Sequence, residues 1–280
     1  MNIFFEPLEY QFLREALVVG AVVGAMCAVL SCFLVLKGWA LMGDAVSHAV
    51  LPGIVLAHLA GLPLAVGAFA AGLGCTVASG WLKTHSRLKE DTVIGVVFTG
   101  LFGFGLVLFS RIETDLHLDH ILFGNILGVS RAQVWQTTTI GAAVIALILA
   151  KRRDLLLLCF DEKQARVLAL PATAFHYLLL SLLAVVIVVS LQAVGLLLVV
   201  AMLITPGATA RLWTDSFDRM LAVAATTAVG SSFLGILLSY HINGSSSASI
   251  VLVQAAVFVL SLIIDRLRSR VRRQSADGNQ

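Results

Sequence analysis

From Val167 to Ala210 the chain carries no Asp, Glu, Lys or Arg. A single helix of that length would run to ~65 Å at 1.5 Å per residue. The hydrocarbon core of a bilayer is only ~30 Å thick. The stretch therefore has to fold back on itself. It is read as two membrane spans, 173–190 and 195–210, broken near Gln192 and Gly195. The rest of the chain agrees: 59% of its 280 residues are hydrophobic and 12% charged, with a mean hydropathy of +0.97. A soluble domain carries about 25% charge. The expected fold class is all-α, a polytopic membrane helix bundle.

Seven more apolar runs are long enough to span: 16–36, 44–60, 62–82, 92–110, 134–150, 220–240 and 248–264. Trp81 stands as an interfacial anchor at the end of the third. The fourth carries Gly95, Gly100, Gly103 and Gly105, and such small residues predict a helix packed inside the bundle. The count is about nine spans, or eight if the short pair within 173–210 is merged. Cytoplasmic loops carry the excess of Lys and Arg. An outside N-terminus and a cytoplasmic C-terminus put sixteen of the nineteen basic residues inside, leaving Arg14, Arg111 and Arg131 outside. The net charge of +3 thus reads as a topology signal and not as a nucleic-acid surface. The expected division is a transmembrane domain over 1–267 and a polar cytoplasmic tail over 268–280. Met1 to Tyr10 holds Glu6 and Glu9 and no basic residue, which argues against a cleaved signal peptide. Cys27, Cys32, Cys75 and Cys159 show no C-x-x-C spacing and read as buried small hydrophobes.

One turn within these runs carries chemistry. In Gly43-Asp44-Ala45-Val46-Ser47-His48-Ala49-Val50-Leu51-Pro52-Gly53, Asp44 is the one carboxylate placed within a span. His48 follows four residues later, so a helix puts both on one face. Pro52 has no N–H to donate to the His48 carbonyl. A carboxylate, an imidazole and a freed carbonyl suit a hard or borderline divalent cation. The alternative is a water-facing N-cap at Asp44 with His48 merely packed. The residues alone leave both open.

Two other segments stand out. Residues 160–171 read as a short amphipathic cytoplasmic helix, opened by Asp161 and ended before Pro171. Such a helix could dock in a partner's groove. Residues 199–208 contain Pro206, which frees the Met202 carbonyl, followed by Gly207. A helix broken there could face a pathway, or the proline could be a structural kink. His117 and His120 flank Asp119 in an outer connection, where they could pass metal inward or simply be solvated. H-E-x-x-H, G-x-S-x-G and P-loop motifs are missing. If transport is ATP-driven, another chain supplies the ATPase.

Taken together, the 43–53 motif, Leu122-Phe123-Gly124, residues 160–170 and Leu203-Ile204-Thr205-Pro206-Gly207-Ala208-Thr209-Ala210 resemble the permease subunit of the ABC-3 metal-uptake transporters. The resemblance covers nearly the whole chain. It implies a bacterial plasma-membrane protein in which two permease subunits, identical or paralogous, form a pathway through the lipid. Two cytoplasmic ATPase subunits bind beneath, and an extracytoplasmic metal-binding protein delivers the ion. It implies that Asp44 and His48 contact metal in transit, and that Asp161, Glu162, Ala165 and Arg166 belong to the coupling helix that meets the ATPase. Pro52, Pro206 and Gly207 would mark helix breaks in the pathway. Thr205-Pro206-Gly207 is similar to the manganese and iron branch; the zinc branch more often has Val-Pro-Ala. Gly244-Ser245-Ser246-Ser247-Ala248-Ser249 departs from the Ser-Gly-Ala or Ser-Gly-Pro form of relatives.

The function expected is therefore a non-enzymatic permease importing manganese or ferrous iron, less readily zinc. The ion is cargo, and no tightly bound cofactor is expected. An ion-coupled secondary transporter with Asp44 as a proton relay is the main alternative. An intramembrane metalloenzyme would need a third ligand that no motif supplies.

Overall fold

The computed structural model describes residues 9–111, 124, 126–160 and 170–277. Among these residues the chain is helical and no strand occurs. In chain order come α1 Gln11–Lys37, α2 Ala40–Leu59, α3 Leu64–His85 and α4 Glu90–Arg111. A 3₁₀ turn at Ile126–Gly128 precedes α5 Arg131–Ala150 and the short α6 Arg152–Phe160. The remaining helices are α7 Ala172–Val194, α8 Leu196–Trp213, α9 Phe217–Ile242 and α10 Ser246–Asp277. Among the described residues nine helices, all but α6, are long and apolar enough to cross a membrane.

The uncharged run divides where expected. Gly195 takes φ +83°, a conformation that side-chain-bearing residues rarely adopt, and separates α7 from α8. The two spans are longer than 173–190 and 195–210, because each helix continues to its glycine or loop.

At the centre is α1, which packs on α5, α7, α8 and α9. A second group, α2 with α3 and α4, leans on α7 and α8. Ion pairs lie at the ends of the bundle, where water can reach them: Glu15–Arg131 at 3.3 Å joins α1 to α5, and Arg152–Asp218 at 3.1 Å joins α6 to α9.

The tightest approach is between α2 and α3. A Cβ on Gly53 would fall on the Gly67 carbonyl oxygen, and a Cβ on Gly67 on the Gly53 carbonyl oxygen. Ala71 and Ala57 sit one turn further along the same faces. In a bilayer no hydrophobic force separates helices from lipid. Close backbone contact through small-xxx-small faces supplies the association instead.

Two expectations need correcting. The helix over 92–110 is not an interior one. α4 is the least enclosed of the spans, and a Cβ at Gly95, Gly100 or Gly103 would meet nothing within 4 Å. Of its four glycines only Gly105 makes a close approach, against the Pro52 ring. Secondly, neither Pro52 nor Pro206 breaks its helix. α2 and α8 run through them, since the flanking turns and packing hold the helix despite one missing hydrogen bond. Residues 152–160 form the short helix α6. Its Leu155 and Leu158 are buried among the neighbouring spans. α10 runs without interruption from Ser246 as far as Asp277. The predicted coupling residues Asp161, Glu162, Ala165 and Arg166 lie outside the described residues, as do His117, Asp119 and His120.

The cysteines are free thiols: Cys27, Cys32 and Cys75 are buried and Cys159 is half-buried. Burial pushes the Cys159 thiol on α6 up to about 11, against a smaller downward pull from the Lys37 ammonium. It stays protonated and inert near neutral pH.

Candidate functional site

α2 begins at Ala40, with Trp39 as its N-cap residue, so Asp44 lies a full turn inside the helix. The N-cap alternative for Asp44 is thereby removed. At 1.5 Å per residue His48 stands about 12 Å along a helix about 30 Å long, close to its middle. The i,i+4 spacing brings the two side chains together, with His48 Nε2 at 3.3 Å from Asp44 Oδ1. Their side chains are 26% and 33% exposed, so both are half-buried and still open on one side.

The opposite ring nitrogen, His48 Nδ1, is buried and has no hydrogen-bond partner. An orphaned polar atom at membrane depth is costly unless something completes it. Just below, Ser47 turns its hydroxyl back to the Gly43 carbonyl at 2.7 Å and does not join the pair. Above, Pro52 cannot donate to the His48 carbonyl, and its ring is pressed against α4 at Gly105.

Two aromatic residues from α4 hold the imidazole. Phe98 stacks at 6.1 Å between ring centroids, and Phe102 meets it edge-on at 5.0 Å. Sequence reasoning missed both. Their own i,i+4 spacing marks one face of α4, but only the α2–α4 contact shows what that face meets.

One chain brings two candidate ligand side chains together here. No group of three or more His, Cys, Asp or Glu side chains suited to a metal occurs among the described residues. Pro206 and Gly207 are elsewhere. Both are buried, and the Gly207 N–H donates to Ser31 Oγ at 2.9 Å. The Ser31 hydroxyl in turn donates to the Ile204 carbonyl at 3.2 Å. This pair of bonds fastens α8 to α1 at the proline.

Among the described residues nine membrane-length helices, one of them carrying an ionisable pair along its length, define a polytopic membrane protein. The chain belongs to the ABC 3 transport family, whose model matches residues 9–265. It is 54% identical to a probable iron transport system membrane protein of Haemophilus influenzae, over 95% of this chain and 98% of that one. It is also 54% identical to the chelated iron transport system membrane protein YfeD of Yersinia pestis, over 99% and 94%. The manganese transport system membrane protein MntB of Synechocystis is 50% identical over 92% and 84%. Among solved structures, PsaBC from Streptococcus pneumoniae in complex with Fab superposes with a TM-score of 0.84. It is 39% identical, over 92% of this chain and 94% of that one. The protein is accordingly a multi-pass permease subunit of the bacterial inner membrane and not an enzyme; ATP hydrolysis belongs to a separate subunit.

Proposed function

We propose that this permease carries a divalent metal, manganese or ferrous iron, into the cytoplasm, and that Asp44 and His48 contact the ion on its way. The observation that carries this reading is the His48 ring. One nitrogen faces a carboxylate, and the other is buried without a partner in mid-span. Imidazole with carboxylate accepts both manganese and iron, and relatives are named for each. Thr205-Pro206-Gly207 supports the same branch over zinc by resemblance.

Two ligands make an incomplete site, and that suits transport. An ion must be held weakly enough to leave. Pairing with a second permease subunit across the open α2–α4 face would bring four ligands together. The charge bias favours an outside N-terminus, with Lys37, Arg152, Arg211 and Arg268 at the cytoplasmic end. Residues 161–170 would then meet the ATPase subunits, and an extracytoplasmic binding protein would feed the outer end.

Right-side-out vesicles, with the binding protein outside and the ATPase subunits and trapped ATP inside, should discriminate the alternatives. Manganese accumulation should require ATP and the binding protein and ignore a proton uncoupler. Uptake that collapses with the uncoupler and needs no ATP would establish an ion-coupled secondary transporter instead.

A further inference from the structure

A cavity of ≈ 450 Å³ lies away from the Asp44–His48 pair, between α2, α3, α5 and α7. Its floor is apolar: Ile54, Ala68, Val188 and Leu191 are each buried. Its rim carries the carboxamides of Gln133, Gln136 and Gln192. Among the described residues no charged side chain lines it. The volume is that of an ordinary small-ligand site, ~300–1,000 Å³. Ile54 is on a different face of α2 from His48, so the two sites do not merge.

Its position in the bundle restricts what can enter. Gln133 and Gln136 are in the first two turns of α5, and Leu191 and Gln192 are in the last turn of α7. The rim is therefore at the helix ends, at headgroup level, and the floor reaches down beside the acyl chains. α3 and α5 flank the opening, each leaning on α7 and not packing closely on the other. Both are long and apolar enough to cross a membrane, so lipid is the medium expected at the opening.

One rim group, Gln133, is committed to donating, and the other two carboxamides can donate or accept. Gln133 Oε1 already accepts from the Ser130 N–H at 2.9 Å and the Ser130 hydroxyl at 3.0 Å, which leaves its –NH₂ to donate. Among the described residues Gln136 and Gln192 have no hydrogen-bond partner for their amides. A carboxamide at the edge of hydrocarbon needs a polar partner. Acceptor oxygens above an apolar slot are what a diacylglycerol phosphodiester presents: ester carbonyls and phosphate oxygens over an alkyl chain.

We propose that this cleft is a specific glycerophospholipid site, with one acyl chain on the Ile54–Ala68–Val188–Leu191 floor and the ester and phosphodiester oxygens on the three glutamines. It goes beyond the metal-transport reading and does not depend on it. The occupant is a lipid of the leaflet at that end of the bundle.

The test uses the complete transporter in vesicles of phosphatidylethanolamine and phosphatidylglycerol containing a phosphatidylethanolamine with a mid-chain diazirine. After irradiation, peptide mass spectrometry should find adducts concentrated at 64–68, 133–136 and 188–192. Ala68→Phe, which fills the floor, should lower their yield about tenfold, equivalent to ~1.4 kcal/mol. Because Ala68 is buried, a second variant guards against misfolding. Gln136→Leu with Gln192→Leu changes only exposed rim groups and should lower the same adducts in a protein that melts normally. Adducts spread evenly over all lipid-facing helices would overturn the proposal, as would a yield unchanged in both variants. So would efficient disulfide formation between two copies carrying Gln136→Cys, which would make the cleft a protein interface.

Discussion

Asp44→Asn abolishes metal uptake while the subunit still assembles. The exchange keeps the side chain's size and removes its charge, so the packing of α2 is preserved. What goes is the anionic oxygen 3.3 Å from His48 Nε2 and with it the attraction for a divalent ion. Outer-sphere partners of a metal ligand alone are worth ~10–100-fold in affinity, and a lost charged ligand costs more. Uptake should therefore drop by at least ~100-fold on that scale. Radioactive manganese uptake measures it. Size-exclusion profile and melting temperature of the purified complex show that assembly is intact. Uptake at the parental level in that variant would remove Asp44 from the pathway.

Gly53→Val is expected to destroy the fold, not the chemistry. A Cβ at Gly53 meets the backbone of Gly67 and the Ala71 methyl, and neither can rotate away. Overpacking a core ordinarily costs ~1–3 kcal/mol, and here the obstacle is main chain. The α2–α3 pair must separate, which also displaces Asp44 and His48. Membrane-inserted, correctly sized protein should fall sharply for Gly53→Val and for Gly67→Val. Gly74→Val is the control, since a Cβ there meets nothing within 4 Å. Fluorescence-detected size exclusion of tagged variants reads all three. Equal profiles for Gly53→Val and Gly74→Val would refute the close approach.

The contrast between these glycines shows what the sequence could and could not convey. Spans were legible because burial in lipid demands an unbroken apolar length, and the Val167–Ala210 run split at Gly195 as its length required. The shared face of Asp44 and His48 was legible because helical periodicity is local. Helix partners are not local. Four glycines in 92–110 suggested an interior helix, yet three of them face open space, and the close contact is carried by Gly53 and Gly67. Small residues permit approach without specifying a partner. Phe98 and Phe102 were missed for the same reason, as they matter only through the α2–α4 contact. The prolines misled in a different way. Pro52 and Pro206 each remove one hydrogen bond, but packing against Gly105 in the first case and the Ser31 bonds to Ile204 and Gly207 in the second keep the helices continuous.

The central claim is that a metal ion meets Asp44 and His48 inside the membrane. Pulsed electron paramagnetic resonance on the complete transporter in nanodiscs loaded with Mn²⁺ tests it most directly. The account predicts nitrogen-14 modulation from a coordinated imidazole, lost in His48→Ala. A solvated Mn²⁺ spectrum without nitrogen coupling, the same in both proteins, would contradict it.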